Sequence, residues 1–230
     1  MKIGLLTIAT NKYTDFVNKL YESADRHFCN DHEVTYFLFT NKTDFVPQSK
    51  RNCEVFHIEH ESWPMITLKR YHTFCRYKQE LLKMDYVYYC DADMLFVNDV
   101  SNEIIGEKVV TLHPGFFNKP RNQFTYDTNY KSKAFISPMK GNRYYAGGFN
   151  GGRTEEFLNM SAHIMNNIDE DLKQGIVARW HDESHLNHYY NIITRPTIEL
   201  SPSYCYPESW KLPVPKILLA LDKNHKEYQV

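Results

Sequence analysis

The sequence predicts an α/β protein built on a mainly parallel sheet. Nearly continuous apolar runs of strand length, such as residues 2–10 (KIGLLTIAT) and 86–90 (YVYYC), suit strands covered on both faces. Between them the period changes: Tyr13, Phe16, Val17, Leu20, Tyr21, Ala24 and Phe28 recur at spacings of three and four and make one apolar helical stripe. The resulting order of strand, helix, strand, strand, helix, strand is the mark of a sheet with crossover helices.

The elements follow in order. Residues 34–40 (VTYFLFT) are a second apolar strand and 53–58 a third. Residues 66–84 read as one long helix leading into the strand 86–90. Residues 108–112 form a strand that runs into His113-Pro114-Gly115. Residues 116–143 carry few periodic apolar positions and predict a long functional loop. A short strand at 144–149 contains Gly147-Gly148, and Gly151-Gly152 follows. Glycines in a strand point to a ligand or another backbone passing close by. Thr154 is placed to cap a helix with Phe157, Leu158, Ile164, Met165 and Ile168 inward. A short helix is expected around 184–190, and the polar tail 221–230 is expected to be mobile. With no repeat, low-complexity stretch or linker, residues 1–230 read as one domain.

Composition narrows the function. The chain is 42% hydrophobic and 15% aromatic, and its 17 tyrosines and 14 phenylalanines exceed what a core needs. Carbohydrate sites often use such aromatic faces. A net charge of −1, with no run of five or six like charges, argues against nucleic acid or an anionic membrane surface as main partner. The cysteines Cys29, Cys53, Cys75, Cys90 and Cys205 have neither disulfide-framework nor zinc-ribbon spacing and suit a reducing compartment. Met1-Lys2 leads straight into a strand, and no apolar run reaches the ~18 residues of a membrane span, so a soluble, cytoplasmic protein is expected.

Two segments carry chemistry. Asp91-Ala92-Asp93 closes the strand 86–90 and sets two carboxylates on the same side of an extended segment. In parallel sheets ligands bind beyond the carboxyl ends of the strands. Hard divalent cations prefer oxygen ligands and are often shared with substrate phosphates. The plainer alternative is a solvated strand-end loop. The apolar Met94-Leu95-Phe96 on the far side makes an uncompensated pair costly.

The second segment is Trp180-His181-Asp182-Glu183-Ser184-His185. Glu183 suits a nucleophile or general base, or else a first-turn glutamate favoured by the helix dipole. His181 and His185 at i, i+4 would suit zinc, but the zincin pattern puts Glu directly after the first His, where this chain has Asp182. Trp180 is either core filling or a sugar-stacking platform. Arg70 is a surface charge or a cation reaching the carboxyl edge of the sheet. Lys223-Asn224-His225 is a diphosphate clamp or a solvated tail.

Taken together, the chain resembles glycosyltransferase family six, the family of the ABO histo-blood-group transferases and α1,3-galactosyltransferases. The resemblance rests on 35–40 (TYFLFT), Asp91-Ala92-Asp93, 111–116 (TLHPGF), 124–126 (FTY), 144–149 (YYAGGF) with Gly151-Gly152, 180–187 (WHDESHLN), 200–202 (LSP) and 223–225 (KNH), occurring in order from about Ile3 to Lys226. It implies a GT-A fold. Residues 1–96 would form the nucleotide-binding part, and 97–230 the acceptor-binding part and tail. It implies retaining transfer of GalNAc or Gal from a UDP-sugar to the 3-hydroxyl of a β-galactoside-type acceptor. Asp91 and Asp93 would hold Mn²⁺, with Mg²⁺ as the alternative. Ile8, Thr10 and Tyr13 match uridine positions. Arg70, Asp91, Ala92, Asp182 and His181 match positions around the donor sugar. Ala146, Gly147 and Gly148 match the segment that selects the donor, and Gly148 leans towards UDP-GalNAc by leaving room for an acetamido group. Lys223 and His225 match the tail over the diphosphate, and Glu183 matches the catalytic glutamate. His113, Thr125, Trp180 and Glu183 match acceptor contacts.

Two departures qualify the match. Mammalian members begin with a membrane anchor and stem, so the chain looks like a compact microbial or viral member. The family's acceptor-binding Asp appears here as Pro207, with Glu208 next, which leaves the acceptor open. The alternatives are another UDP-sugar donor such as UDP-glucose, a non-catalytic glycan-binding protein, or a zinc hydrolase using His181 and His185.

Overall fold

The first apolar run forms β1 (Lys2–Ile8), buried from Ile3 to Thr7. The computed structural model describes residues 1–42, 44–224 and 228, so His225 lies outside the described residues. Burial on both faces of β1 has a direct cause. Ile3 and Leu5 pack into a cluster with Val17, Leu20, Tyr21 and Ala24 of α1 (Thr14–His27), whereas Leu6 faces an opposite cluster containing Phe74 and Phe157. β2 (Glu33–Thr40) and β3 (Asn52–His57) add in parallel on one side of β1, and β4 (Tyr86–Cys90) in parallel on the other.

The helix expected over 66–84 is three short ones: α2 (Met65–Leu68), α3 (Arg70–Arg76) and α4 (Lys78–Leu81). The breaks fall at Lys69 (φ −94°, ψ 17°) and Tyr77 (φ −102°, ψ 24°). Tertiary anchors lie beside both. The Tyr77 hydroxyl donates to the His57 carbonyl at 2.6 Å and its ring lies 4.8 Å from Phe56, while Arg70 opens α3 buried against the sheet edge.

After β5 (Met94–Phe96) come β6 (Val109–Leu112) and β7 (Tyr145–Arg153). With β8 (Ile198–Leu200) they complete a seven-stranded sheet of order β3-β2-β1-β4-β7-β6-β8. β7 pairs antiparallel with both neighbours, and the other pairings are parallel. β7 runs four residues past the expected strand end, through Gly151-Gly152. The glycines permit it: a Cβ on Gly151 would sit 2.2 Å from the Val87 carbonyl oxygen. Thr154 is the first helical residue of α5 (Thr154–Lys173) rather than its cap. Its hydroxyl donates to the Met84 carbonyl at 2.7 Å instead of to its own helix. α6 (His181–His188) begins three residues earlier than expected, at His181 with φ +51°.

The loop 116–143 is irregular as expected, with a single short 3₁₀ turn at Arg121–Gln123. Polar ties hold it to α5 and to the turn before α6. Ser132 Oγ and the Lys133 N–H donate to Asp171 of α5, and Asp127 accepts the Arg179 N–H. Just before the tail expected to be mobile, β10 (Leu218–Ala220) pairs with β5 and with β9 (Tyr206–Pro207) in a second sheet, and the Leu221 N–H donates to the Asp93 carbonyl at 2.9 Å. All five cysteines are free thiols. Among the described residues no helix is long and apolar enough to cross a membrane.

Candidate active site

Parallel pairing of β1 with β4 brings their carboxyl ends together, and the antiparallel β7 sets Gly148 beside Asp91, whose N–H donates to the Gly148 carbonyl at 2.9 Å. Asp91 Oδ1 accepts from the Tyr89 hydroxyl at 2.5 Å and from Arg70 Nη1 at 3.3 Å. Asp93 is buried, and its carboxylate is ion-paired with the Lys223 ammonium. Burial, with Asp91 nearby, pushes the Asp93 carboxyl above the usual range, while Lys223 pulls it back. No cluster of three or more His, Cys, Asp or Glu occurs among the described residues. The two carboxylates nevertheless fit a hard cation. They are oxygen donors at a cleft mouth and already draw a cation, the Lys223 ammonium, onto Asp93. Such ions take their remaining ligands from phosphate oxygens and water.

A cleft of about 290 Å³ opens beside them. Ile8, Thr10 and Tyr13 line it from the end of β1, and Ala92 and Asp93 from the end of β4. Lys223 Nζ sits 4.8 Å above the Tyr13 ring, which also meets Tyr228 at 5.4 Å. Sequence reading missed six liners: Ile66, Thr67, Tyr89, Tyr228 and, beyond them, His60 and Trp63. His60 hydrogen-bonds Thr10 Oγ1 at 2.9 Å, and Trp63 lies edge-on to His181 at 4.9 Å. Both follow β3, and the rule that ligands lie beyond parallel strand ends was the signal available.

A second recess, about 190 Å³, shares Thr67, Arg70 and Asp91 with the first. Arg70 is its hub. The guanidinium stacks 4.4 Å from the Tyr89 ring centre, and Nη1 donates to the Gly147 carbonyl at 3.1 Å. Arg70 Nε is 2.9 Å from Asp182 Oδ2, but neither atom has an aligned hydrogen bond, so the contact is coulombic. Burial pushes the Asp182 carboxyl up to about 6 against the pull of Arg70.

Glu183 stands in the first turn of α6, as the helix-dipole reading had it, but its side chain reaches back to β7. Oε2 accepts the Gly147 N–H at 2.9 Å. The residue is half-buried and opens on the recess, yet enough protein surrounds its carboxyl to push it up to about 7. Gly147 and Gly148 present no side chain there: a Cβ on Gly148 would sit 3.0 Å from Asp91 Oδ2. Ala146, buried in β7, leads the strand into them. The two histidines of the zinc alternative have different surroundings. His181 lines the recess, whereas His185 is buried 3.7 Å from Asp171.

Beyond Glu183 lie the expected acceptor contacts. Trp180 is 45% exposed, and its indole N–H donates to Thr125 Oγ1 at 2.9 Å. Thr125 Oγ1 is 3.3 Å from the Tyr144 hydroxyl. His113 lies 5.5 Å from the Tyr144 ring. Burial pushes His113 down to about 4, so the imidazole is neutral, and its Nδ1 accepts the Gly115 N–H at 3.0 Å. The proton therefore sits on Nε2. Glu208, beside the substituted Pro207, accepts the Asp222 N–H at 2.9 Å.

The family model described as Glycosyltransferase family 6 matches residues 1–230. The chain is 34% identical to globoside alpha-1,3-N-acetylgalactosaminyltransferase 1 of Gallus gallus, over 99% of this chain and 69% of that protein. It is 35% identical to histo-blood group ABO system transferase 1 of Rattus norvegicus, over 97% and 67%. It is 28% identical to the O-antigen biosynthesis glycosyltransferase WbnI of Escherichia coli, over 91% and 90%. A parallel-sheet cleft ending in two aspartates, a recess walled by Arg70, Asp182 and Glu183, and a match along the whole sequence lead to one conclusion: the chain belongs to glycosyltransferase family 6.

Proposed function

We propose that the chain moves N-acetylgalactosamine or galactose from a UDP-sugar to the 3-hydroxyl of a β-galactoside-type acceptor, with retention of configuration. Residues 1–230 act as one catalytic domain. The nucleotide lies against 1–96 and the acceptor against 97–230, with Lys223 crossing from the second part into the nucleotide cleft. Ile8, Thr10 and Tyr13 hold the uridine. Arg70 and Asp182 orient the donor sugar in the smaller recess. The side-chain-free Gly147-Gly148 edge supports a donor with an N-acetyl group, and relatives named as alpha-1,3-N-acetylgalactosaminyltransferases support the linkage.

Asp91 and Asp93 would hold a divalent cation, Mn²⁺ or Mg²⁺, which supplies positive charge against the diphosphate as UDP departs. The Lys223 ammonium adds charge on the same side. Glu183 acts on the sugar face away from UDP, as nucleophile or as stabiliser of an oxocarbenium-like centre, by analogy with retaining glycosidases. Neutral His113 donates its Nε2 proton to an acceptor hydroxyl, and the Trp180 face covers the acceptor ring.

The observation that carries this reading is the Glu183 carboxylate, fixed by the Gly147 N–H in a recess continuous with the cleft through Arg70 and Asp91. Glu183→Gln is expected to lose most turnover while calorimetry still records UDP binding. Near-normal turnover would remove Glu183 from the mechanism.

A further inference from the structure

The loop 116–143 is basic on a nearly neutral chain. It carries Lys119, Arg121, Lys131, Lys133, Lys140 and Arg143 against one carboxylate, Asp127, which is buried. Two of these cations are neutralised: Lys133 pairs with Glu170 at 2.6 Å, and Arg143 with Glu199 at 3.4 Å. Lys140 has no carboxylate partner among the described residues. It lines a recess of about 450 Å³, larger than either cavity of the candidate active site, together with Arg195, which has none there either. The remaining walls offer Asn142, Asn191, Met139 and Ile192, and no carboxylate among the described residues.

The floor of the recess is held in place from several directions. The Arg121 guanidinium stacks 4.5 Å from the Tyr126 ring centre and donates to the Ser137 and Lys140 carbonyls at 3.1 and 2.7 Å, which fixes the turn that presents Lys140. Gly141 has φ +78°, and a Cβ there would sit 2.7 Å from Tyr126 Cε2, so glycine lets the backbone lie against that ring. Asn191 accepts the Asn142 N–H at 3.2 Å and donates to the Arg143 carbonyl at 3.0 Å. It belongs to a π-helical turn (Tyr189–Ile193) that continues α6, a rare feature frequent at functional sites. Tyr126 in turn stacks on Tyr144 at 5.2 Å and 12°, and Thr125, which accepts the Trp180 indole N–H, donates to the Tyr144 oxygen at 3.3 Å. The recess therefore adjoins the expected acceptor groove across one aromatic stack.

We propose that this recess is an anion subsite, in which Lys140, Arg195 and the Asn142 carboxamide bind a phosphate-type oxyanion on the remote end of an acceptor glycan. The proposal rests on the reading of the Trp180–Thr125 groove as the acceptor site. A guanidinium grips two oxyanion oxygens at once, and an ammonium adds a point charge. Neither cation has an ion pair to break first. Arg195 gives up only a long 3.4 Å bond to the Tyr190 carbonyl. Met139, 92% exposed at the rim, offers an apolar surface to the carbon skeleton that bears the phosphate.

The test reads binding and transfer separately, in the wild type and in Lys140→Ala combined with Arg195→Ala. Both side chains are exposed, so the double variant should keep the fold. ¹³C-methyl NMR of Met139 and Ile192, titrated with inorganic phosphate in metal-free protein, reports on the recess itself. Both signals are expected to shift, and the double variant should lose about ten-fold in phosphate affinity. Transfer is read with lactose and lactose 1-phosphate as acceptors. The wild type should favour the phosphorylated acceptor by about ten-fold in kcat/KM, whereas the double variant should treat the two alike and turn over lactose at the wild-type rate. Methyl signals that stay still, or that respond equally in the double variant, overturn the subsite. A phosphate response without preference for lactose 1-phosphate would mean that the recess takes free phosphate, and overturns the assignment to the acceptor. Turnover of neither acceptor would bring down the reading of the groove, and that assignment with it. The failures are told apart because the NMR titration needs no turnover.

Discussion

Lys223 is ion-paired with Asp93, 130 residues away along the chain, so the tail places a cation on the carboxylate expected to hold a metal. Both side chains are largely buried, and the Lys223 ammonium is charged because Asp93 raises its proton affinity against the cost of burial. A metal ion on that carboxylate would compete with the ammonium for it.

Lys223→Ala should therefore bind Mn²⁺ more tightly when UDP is absent, by roughly ten-fold, since a bound competitor has gone. Affinity for UDP in the presence of Mn²⁺ should fall, because the ammonium no longer faces the diphosphate. Calorimetry with Mn²⁺ alone and with UDP measures both. Equal Mn²⁺ affinity in the two proteins would mean that Lys223 leaves Asp93 at no cost.

Arg70 and Asp182 form a buried pair whose side chains are only 8% and 2% exposed. Arg70→Met keeps the apolar contact with the Tyr89 ring but leaves the Asp182 carboxylate without a cation. Removing one partner of a buried pair costs about 3–5 kcal/mol, seen as a lower urea midpoint. Arg70→Met combined with Asp182→Asn should recover much of that loss. A single-variant loss below about 1 kcal/mol would indicate a solvent-screened pair.

The sign for Glu183 follows from its burial. Its carboxyl is raised from 4.5 to about 7, so the ionised form is disfavoured in the folded chain. The stability this group contributes is full below about pH 4.5 and is lost as the pH rises through about 7. Glu183→Gln should therefore gain on the wild type between pH 5 and 8 by on the order of 2 kcal/mol, discounted for the half-exposure of the site. On the proposed mechanism turnover uses the ionised form and should rise through the same range. Parallel urea curves for the two proteins across that range would contradict the burial argument.

Much of this fold was legible because parallel strands leave a coarse trace. β1, β2 and β4 are buried on both faces, so their sequences are unbroken apolar runs, and α1 has one stripe because only one of its faces is covered. The breaks at Lys69 and Tyr77 left no such trace, since residues on both sides keep good helical spacing and the anchors are remote. β7 outran its expected end because Gly151 meets Val87, a neighbour invisible in local sequence. Lys223 read as a diphosphate clamp or a solvated tail, and only the fold shows its ammonium ion-paired with Asp93.

The site shows the same division. Asp91, Asp93 and Glu183 stand in local motifs whose residue types announce chemistry. His60, Trp63 and Tyr228 depend on contacts between distant segments.

The most direct test of the central claim is UDP release from a panel of UDP-sugars, with and without Mn²⁺, using slow hydrolysis so that no acceptor is required. Mn²⁺-dependent release from UDP-GalNAc or UDP-galactose, lost in Asp93→Asn, is the expected result. No release from any UDP-sugar, together with no UDP binding by calorimetry, would contradict it.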